Sequence, residues 1–107
     1  GDDGLTLPIM SLGARGVISV TANVIPEFMH NLTAAAEQGD FAGALKMHRK
    51  LYPLAKAMFL EVNPIPVKTC ANLLGLQAGE LRMPLTPMEE GNEARLRAAM
   101  ADFGLVF

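Results

Sequence analysis

Apolar residues recur at helical spacing through most of the chain. Over residues 26–38, Phe28, Leu32, Ala35 and Ala36 fall on one helix face. Pro26 suits a first helical position, and Gly39 suits the position just past the last turn. Asp40 then caps a longer helix that runs to Leu60. Its apolar stripe is Phe41, Leu45, His48, Leu51, Tyr52, Ala55, Met58 and Phe59. Pro53 lies inside this helix and should bend it, because its ring removes one hydrogen bond and crowds an earlier carbonyl. Asn63-Pro64-Ile65-Pro66 interrupts the pattern. Pro66 opens a helix to Leu74, closed by Gly75. Gln77 to Leu85 reads as a loop. Thr86-Pro87-Met88-Glu89 then reads as a capping box for a last helix that ends at Phe103, before Gly104. A short first helix spans Leu5 to Leu12. Thr6 is its favoured cap, since that places Pro8 in the first turn.

One segment breaks the helical rhythm. Gly16 to Thr21 is short and β-branched, and Val17, Ile18 and Val20 leave no clean polar alternation. Such a strand is buried on both faces, as in parallel sheets. A lone strand cannot satisfy its own backbone donors and acceptors. It therefore needs another chain or a larger sheet. The start at Gly1-Asp2-Asp3 reads as a cut from a longer chain.

Composition narrows the function classes. The chain has 107 residues, of which 50% are hydrophobic and 19% charged, so it is poor material for a disordered segment. The net charge of −2 and a pI near 5.6 argue against nucleic-acid binding. No apolar run reaches the ~18 residues a membrane span needs. Cys70 has no partner cysteine, which fits a reducing, cytoplasmic setting. His30 and His48 fall on different helices and are too few to hold a metal with Cys70. The seven Met residues are scattered gap fillers. Tyr52 reads as core with its hydroxyl at the edge, and Cys70 as a small buried hydrophobe.

Three ordered blocks carry a resemblance. Gly1-Asp2-Asp3 is followed by Leu12-Gly13-Ala14-Arg15-Gly16-Val17-Ile18-Ser19-Val20-Thr21-Ala22-Asn23. Then come Glu61-Val62-Asn63-Pro64-Ile65-Pro66-Val67-Lys68 and Leu81-Arg82-Met83-Pro84-Leu85-Thr86-Pro87. Together they resemble the C-terminal part of the dihydrodipicolinate synthase family of class I pyruvate aldolases. The family fold is an α/β (β/α)₈ barrel with a C-terminal helical bundle, and such a barrel needs about 250 residues. The resemblance implies that residues 1–38 are the last barrel units, with strand eight at 17–21, and that residues 39–107 are the helical extension. Within this chain the fold is expected to be mostly α.

The resemblance further implies the condensation of pyruvate with aspartate semialdehyde, through a lysine imine, on the diaminopimelate route to lysine. The Schiff-base lysine and the relay tyrosine of the family lie upstream of Gly1. The chain alone is therefore expected to be inactive, and no cofactor or metal is expected. Ile18 matches a strand-eight residue whose backbone carbonyl lies beside the imine. Gly1 matches the glycine at the mouth where the aldehyde enters. Asp2 is a third candidate for substrate binding and Asn63 a weaker one, although the residue type makes Asp2 and Asp3 helix caps first. Lys68, in a first helical turn, is not expected to be the nucleophile. Expected partners are the substrates, the upstream barrel half and further copies in a homotetramer, with no nucleic acid and no membrane. Two other readings stand beside this one: a different pyruvate aldolase such as N-acetylneuraminate lyase, and a non-enzymatic helical assembly module.

Overall fold

The Asp40 carboxylate accepts the N–H of Gly43 at 2.9 Å and so satisfies a free donor of the helix that follows it. That helix is the longest of five in the computed structural model, which describes residues 1–107. In chain order they are α1 (Thr6–Ser11), α2 (Pro26–Glu37), α3 (Phe41–Ala57), α4 (Ile65–Leu73) and α5 (Glu90–Phe103). Two 3₁₀ turns join them, Asp3–Leu5 before α1 and Thr21–Asn23 before α2. Pro26 stands at the head of α2, and Pro53 lies inside α3 without ending it. Gly104 closes α5 with a φ of 103°, which a residue with a Cβ adopts only at a cost.

The core forms where α3 packs against α2 and α5. Leu32 of α2, Leu51 and Leu54 of α3, Met58 just beyond it, and Leu96 and Met100 of α5 are fully buried. Cys70 and Ala71 bring α4 onto the same cluster. Phe28 and Phe103 meet edge to face at 5.0 Å, and Lys50 lays its ammonium over the Phe103 ring at 4.9 Å. A smaller cluster of Leu7, Met10, Ala36 and Ala44 fastens α1 to α2 and α3.

Four expectations are corrected. First, the strand expected at residues 17–21 does not form. Residues 14–19 are irregular, and no backbone–backbone hydrogen bond involves residues 16–19. A strand exists only through its neighbour's backbone hydrogen bonds, and no other segment of this chain pairs with the backbone of residues 16–19. Second, Thr6 does not cap α1. Leu5 holds that position, and Asp2 caps the preceding 3₁₀ turn instead. Third, Thr86 does not open α5. The helix begins at Glu90, and the N–H of the residue before it, Glu89, goes to Glu61. Fourth, the apolar stripe of α3 is wider than the surface its neighbours cover. Phe41, Leu45 and Phe59 are exposed, and Tyr52 is 45% exposed instead of lying in the core. The helix itself stops at Ala57, short of Leu60.

Candidate functional site

The first residues of the chain meet the segment after α1 at two points. Gly1 packs against Ile18 so closely that a Cβ on it would stand 2.7 Å from the Ile18 carbonyl oxygen. Two residues later, Asp3 Oδ2 accepts the N–H of Val20 at 3.1 Å and the N–H of Thr21 at 2.9 Å. Asp3 is only 1% exposed, and its other oxygen, Oδ1, has no hydrogen-bond partner.

Local chemistry explains why these groups converge. Asp2 Oδ1 accepts the Gly4 N–H at 2.9 Å, which closes the 3₁₀ turn. That turn sits on α3, because a Cβ on Gly4 would touch the Tyr52 ring at 3.2 Å. On the facing segment, Ser19 Oγ accepts the Ala22 N–H at 2.9 Å, and Asn23 Nδ2 donates to the Val20 carbonyl at 3.0 Å. Thr21 is fully buried beneath this turn. The Ile18 side chain points the other way and is 92% exposed. What Ile18 presents to Gly1 is its backbone oxygen.

The expected site residues are thus placed as follows. Gly1 and Ile18 are in contact. Asp2 is a cap, and it also lines a cleft of about 280 Å³ with Tyr52, Lys56 and Phe59. Asn63 is exposed in the α3–α4 connection. Lys68 Nζ donates to the Glu80 carbonyl, and Asn72 Nδ2 donates to the Gly79 carbonyl at 3.0 Å, so both hold the loop after α4. His30 is exposed on α2, while the Nδ1 of His48 on α3 is buried and unpartnered. No three His, Cys, Asp or Glu side chains converge on a common point that could take a metal ion. Burial pushes the Cys70 thiol up from its ordinary 9.0 to about 11.

Two residues act beyond the roles their local sequence suggests. Asp3, which reads locally as a helix cap, reaches residues 17 and 18 positions away. Glu61 Oε2 accepts the Glu89 N–H at 2.9 Å and an Asn92 amide hydrogen at 3.1 Å. Neither contact has a periodicity or a short motif that would reveal it.

Comparison with known proteins accounts for the whole chain. Residues 1–102 match the Dihydrodipicolinate synthetase family. Over 106 residues the chain is 53% identical to a 4-hydroxy-tetrahydrodipicolinate synthase of Endomicrobium trichonymphae, covering 99% of this chain and 36% of that protein. It is 51% identical to one from Methanocaldococcus jannaschii, covering 99% of this chain and 37% of that protein. A crystal structure of dihydrodipicolinate synthase from Aquifex aeolicus superposes with a TM-score of 0.94 at 50% identity, over 98% of this chain and 36% of the other. The chain spans little more than a third of the length of these relatives. The backbone of the chain follows that structure over nearly its whole length, and no helix is long and apolar enough to cross a membrane. The chain belongs to the dihydrodipicolinate synthetase family.

Proposed function

We propose that this chain works as the C-terminal part of a (β/α)₈ synthase that condenses pyruvate with L-aspartate semialdehyde, on the diaminopimelate route to lysine. In this reading residues 1–38 complete the barrel, where 17–21, which form no strand in this chain alone, pair as its eighth strand, and residues 39–107 form the helical extension. A lysine amine of the upstream half attacks the pyruvate ketone, water leaves, and an imine forms. Loss of a methyl proton gives the enamine, whose carbon attacks the aldehyde. The proton passes through a tyrosine hydroxyl, also upstream.

This chain contributes backbone and rim. The Ile18 carbonyl sits beside the imine at the C-terminal end of its strand, where barrel enzymes gather their active sites. Gly1 leaves room at the mouth for the aldehyde, and Asp2 lines the approach. The assembled enzyme is a cytoplasmic homotetramer that needs no cofactor.

The observation that carries the reading is the family match through residues 1–102, at about half identity to synthases and in unbroken order. The unpartnered backbone of residues 16–19 supports it, because an eighth barrel strand would find its partners in the missing neighbours. The test is reductive trapping. The polypeptide that carries these residues behind its barrel half is incubated with pyruvate and borohydride, then digested and weighed. A pyruvate adduct on an upstream lysine is expected. The 107-residue chain alone should take none, Lys68 included. No adduct on the longer polypeptide would overturn the proposal.

A further inference from the structure

We infer that Asp3 is a positioning residue for the Ile18 carbonyl, acting through the Val20–Thr21 turn. The inference rests on the reading above, in which that carbonyl faces the reacting imine.

Residues 16–19 are held only at their ends. They make no backbone–backbone hydrogen bond in this chain. Their course is set at their ends, and the chain start touches them twice. Gly1 meets the Ile18 carbonyl, with a built Cβ only 2.7 Å from its oxygen. Asp3 Oδ2 takes the N–H groups of Val20 and Thr21 at 3.1 and 2.9 Å. A carboxylate accepting two backbone donors is a charge-assisted clamp, and such bonds are shorter and stronger than neutral ones. Burial strengthens it further, since Asp3 is 1% exposed and Thr21 is fully buried, so water cannot take the place of the carboxylate.

Stability alone accounts poorly for this residue. A buried carboxylate with one oxygen unpartnered, as Oδ1 is, carries a desolvation cost that an apolar side chain would avoid. What only the carboxylate supplies is direction. It fixes two successive N–H groups, and therefore the peptide planes on either side of Val20, one residue beyond the Ile18 carbonyl. One residue, Ser19, separates the Ile18 carbonyl from the nearer clamped N–H. With Gly1 seated on the oxygen, that peptide has little freedom left.

The test uses the polypeptide that carries this chain behind its barrel half. Asp3→Asn and Asp3→Ala are compared with Asp40→Ala, which removes the α3 cap and touches no part of the site. Hydrogen exchange at the Val20 and Thr21 amides reports the clamp itself, whatever the enzyme does. Expected for both Asp3 variants are faster exchange at these amides and a fall in kcat/KM for pyruvate of roughly 10- to 100-fold. Asp40→Ala should lower Tm, as loss of a helix cap does, and leave kcat/KM within about twofold. If Asp3→Ala does not fold, Asp3→Glu keeps the charge, displaces it by one methylene, and should show the same kinetic loss. Faster exchange with unchanged kcat/KM in a folded variant would overturn the inference while leaving the synthase reading intact. A parent polypeptide that traps no pyruvate would overturn both.

Discussion

The Glu61 carboxylate reaches the start of α5, 28 residues away, and accepts the backbone N–H of Glu89 at 2.9 Å. The same oxygen takes an amide hydrogen of Asn92 at 3.1 Å. One acid from the α3–α4 connection thus does for α5 what a local cap does for other helices. It also favours the positive end of the helix dipole. Glu61→Ala should therefore lower stability by about 1–2 kcal/mol, as loss of a cap does. Tm should fall by about 4–8 °C for each kcal/mol in a domain of this size. Glu61→Gln keeps an acceptor and loses the charge, so roughly half the loss is expected. Thermal unfolding followed by circular dichroism checks both.

That contact marks the limit of what local pattern reveals. Where a helix end depends on neighbours in sequence, it was legible: Pro26 heads α2, Asp40 caps α3 and Gly104 ends α5. Where the end depends on a distant acid, it was not. Thr86 and Glu89 have the spacing of a capping box, yet Glu61 supplies the acceptor and α5 begins three residues later than that motif implies. The β-branched run at 17–21 shows the complementary failure. Propensity can favour an extended backbone, but a strand requires a partner's hydrogen bonds. Gly1 and Ile18 could each be named only through family resemblance, and their contact was not legible at all, since nothing in their residue types implies it. Asp3 was masked by its plausibility as a cap.

The core where α3 meets α2 and α5 should tolerate truncation poorly. Leu54 and Leu96 are both fully buried in it. Leu54→Ala or Leu96→Ala should cost about 2–5 kcal/mol, the transfer of the lost methyl groups plus the cavity they leave. Exposed Leu12 provides the contrast, and Leu12→Ala should stay within about 0.5 kcal/mol. Urea unfolding midpoints measure the difference.

Cys70 should be a slow thiol. Burial holds its pKa at about 11, against 9.0 for the ordinary group. At pH 8 the thiolate fraction is then about 100-fold lower than in an exposed cysteine, and alkylation by iodoacetamide should slow by at least that factor in the folded chain. Stability should also depend on pH with a definite sign. Above pH 9.0 the unfolded thiol gives up its proton while the folded one keeps it, so the unfolded state binds fewer protons. Folding should therefore weaken as pH rises from 9.0 towards 11, and Cys70→Ala should flatten that dependence. Denaturant midpoints taken across this range give the slope.

The exposed face of residues 14–19 should drive association of the isolated 107-residue chain. Its backbone donors and acceptors are open at residues 16–19, and Ile18 presents a large apolar side chain to solvent. An unpaired extended segment of this kind is a template for pairing with another copy. Light scattering should show oligomers that grow with concentration. Ile18→Lys should shift the distribution towards monomer, because charge on an open edge opposes pairing. A clean monomer for the unmodified chain at high concentration would contradict the expectation.

Gly1→Ala is the sharpest probe of the contact at the mouth. The added methyl would stand 2.7 Å from the Ile18 carbonyl oxygen, nearer than unstrained atoms approach, and that oxygen belongs to backbone that cannot simply rotate aside. Either the carbonyl tips or the chain start lifts. If the carbonyl faces the pyruvate imine as proposed, tipping it should lower kcat/KM for pyruvate by roughly 10- to 100-fold in the barrel-bearing polypeptide. Stability should change little, because Gly1 is exposed and lies outside both hydrophobic clusters. Steady-state kinetics with each substrate varied in turn separates the two sites of action. A loss confined to the aldehyde's KM would place Gly1 at the rim and leave the carbonyl untouched, whereas a loss in kcat and in kcat/KM for pyruvate would locate the strain at Ile18.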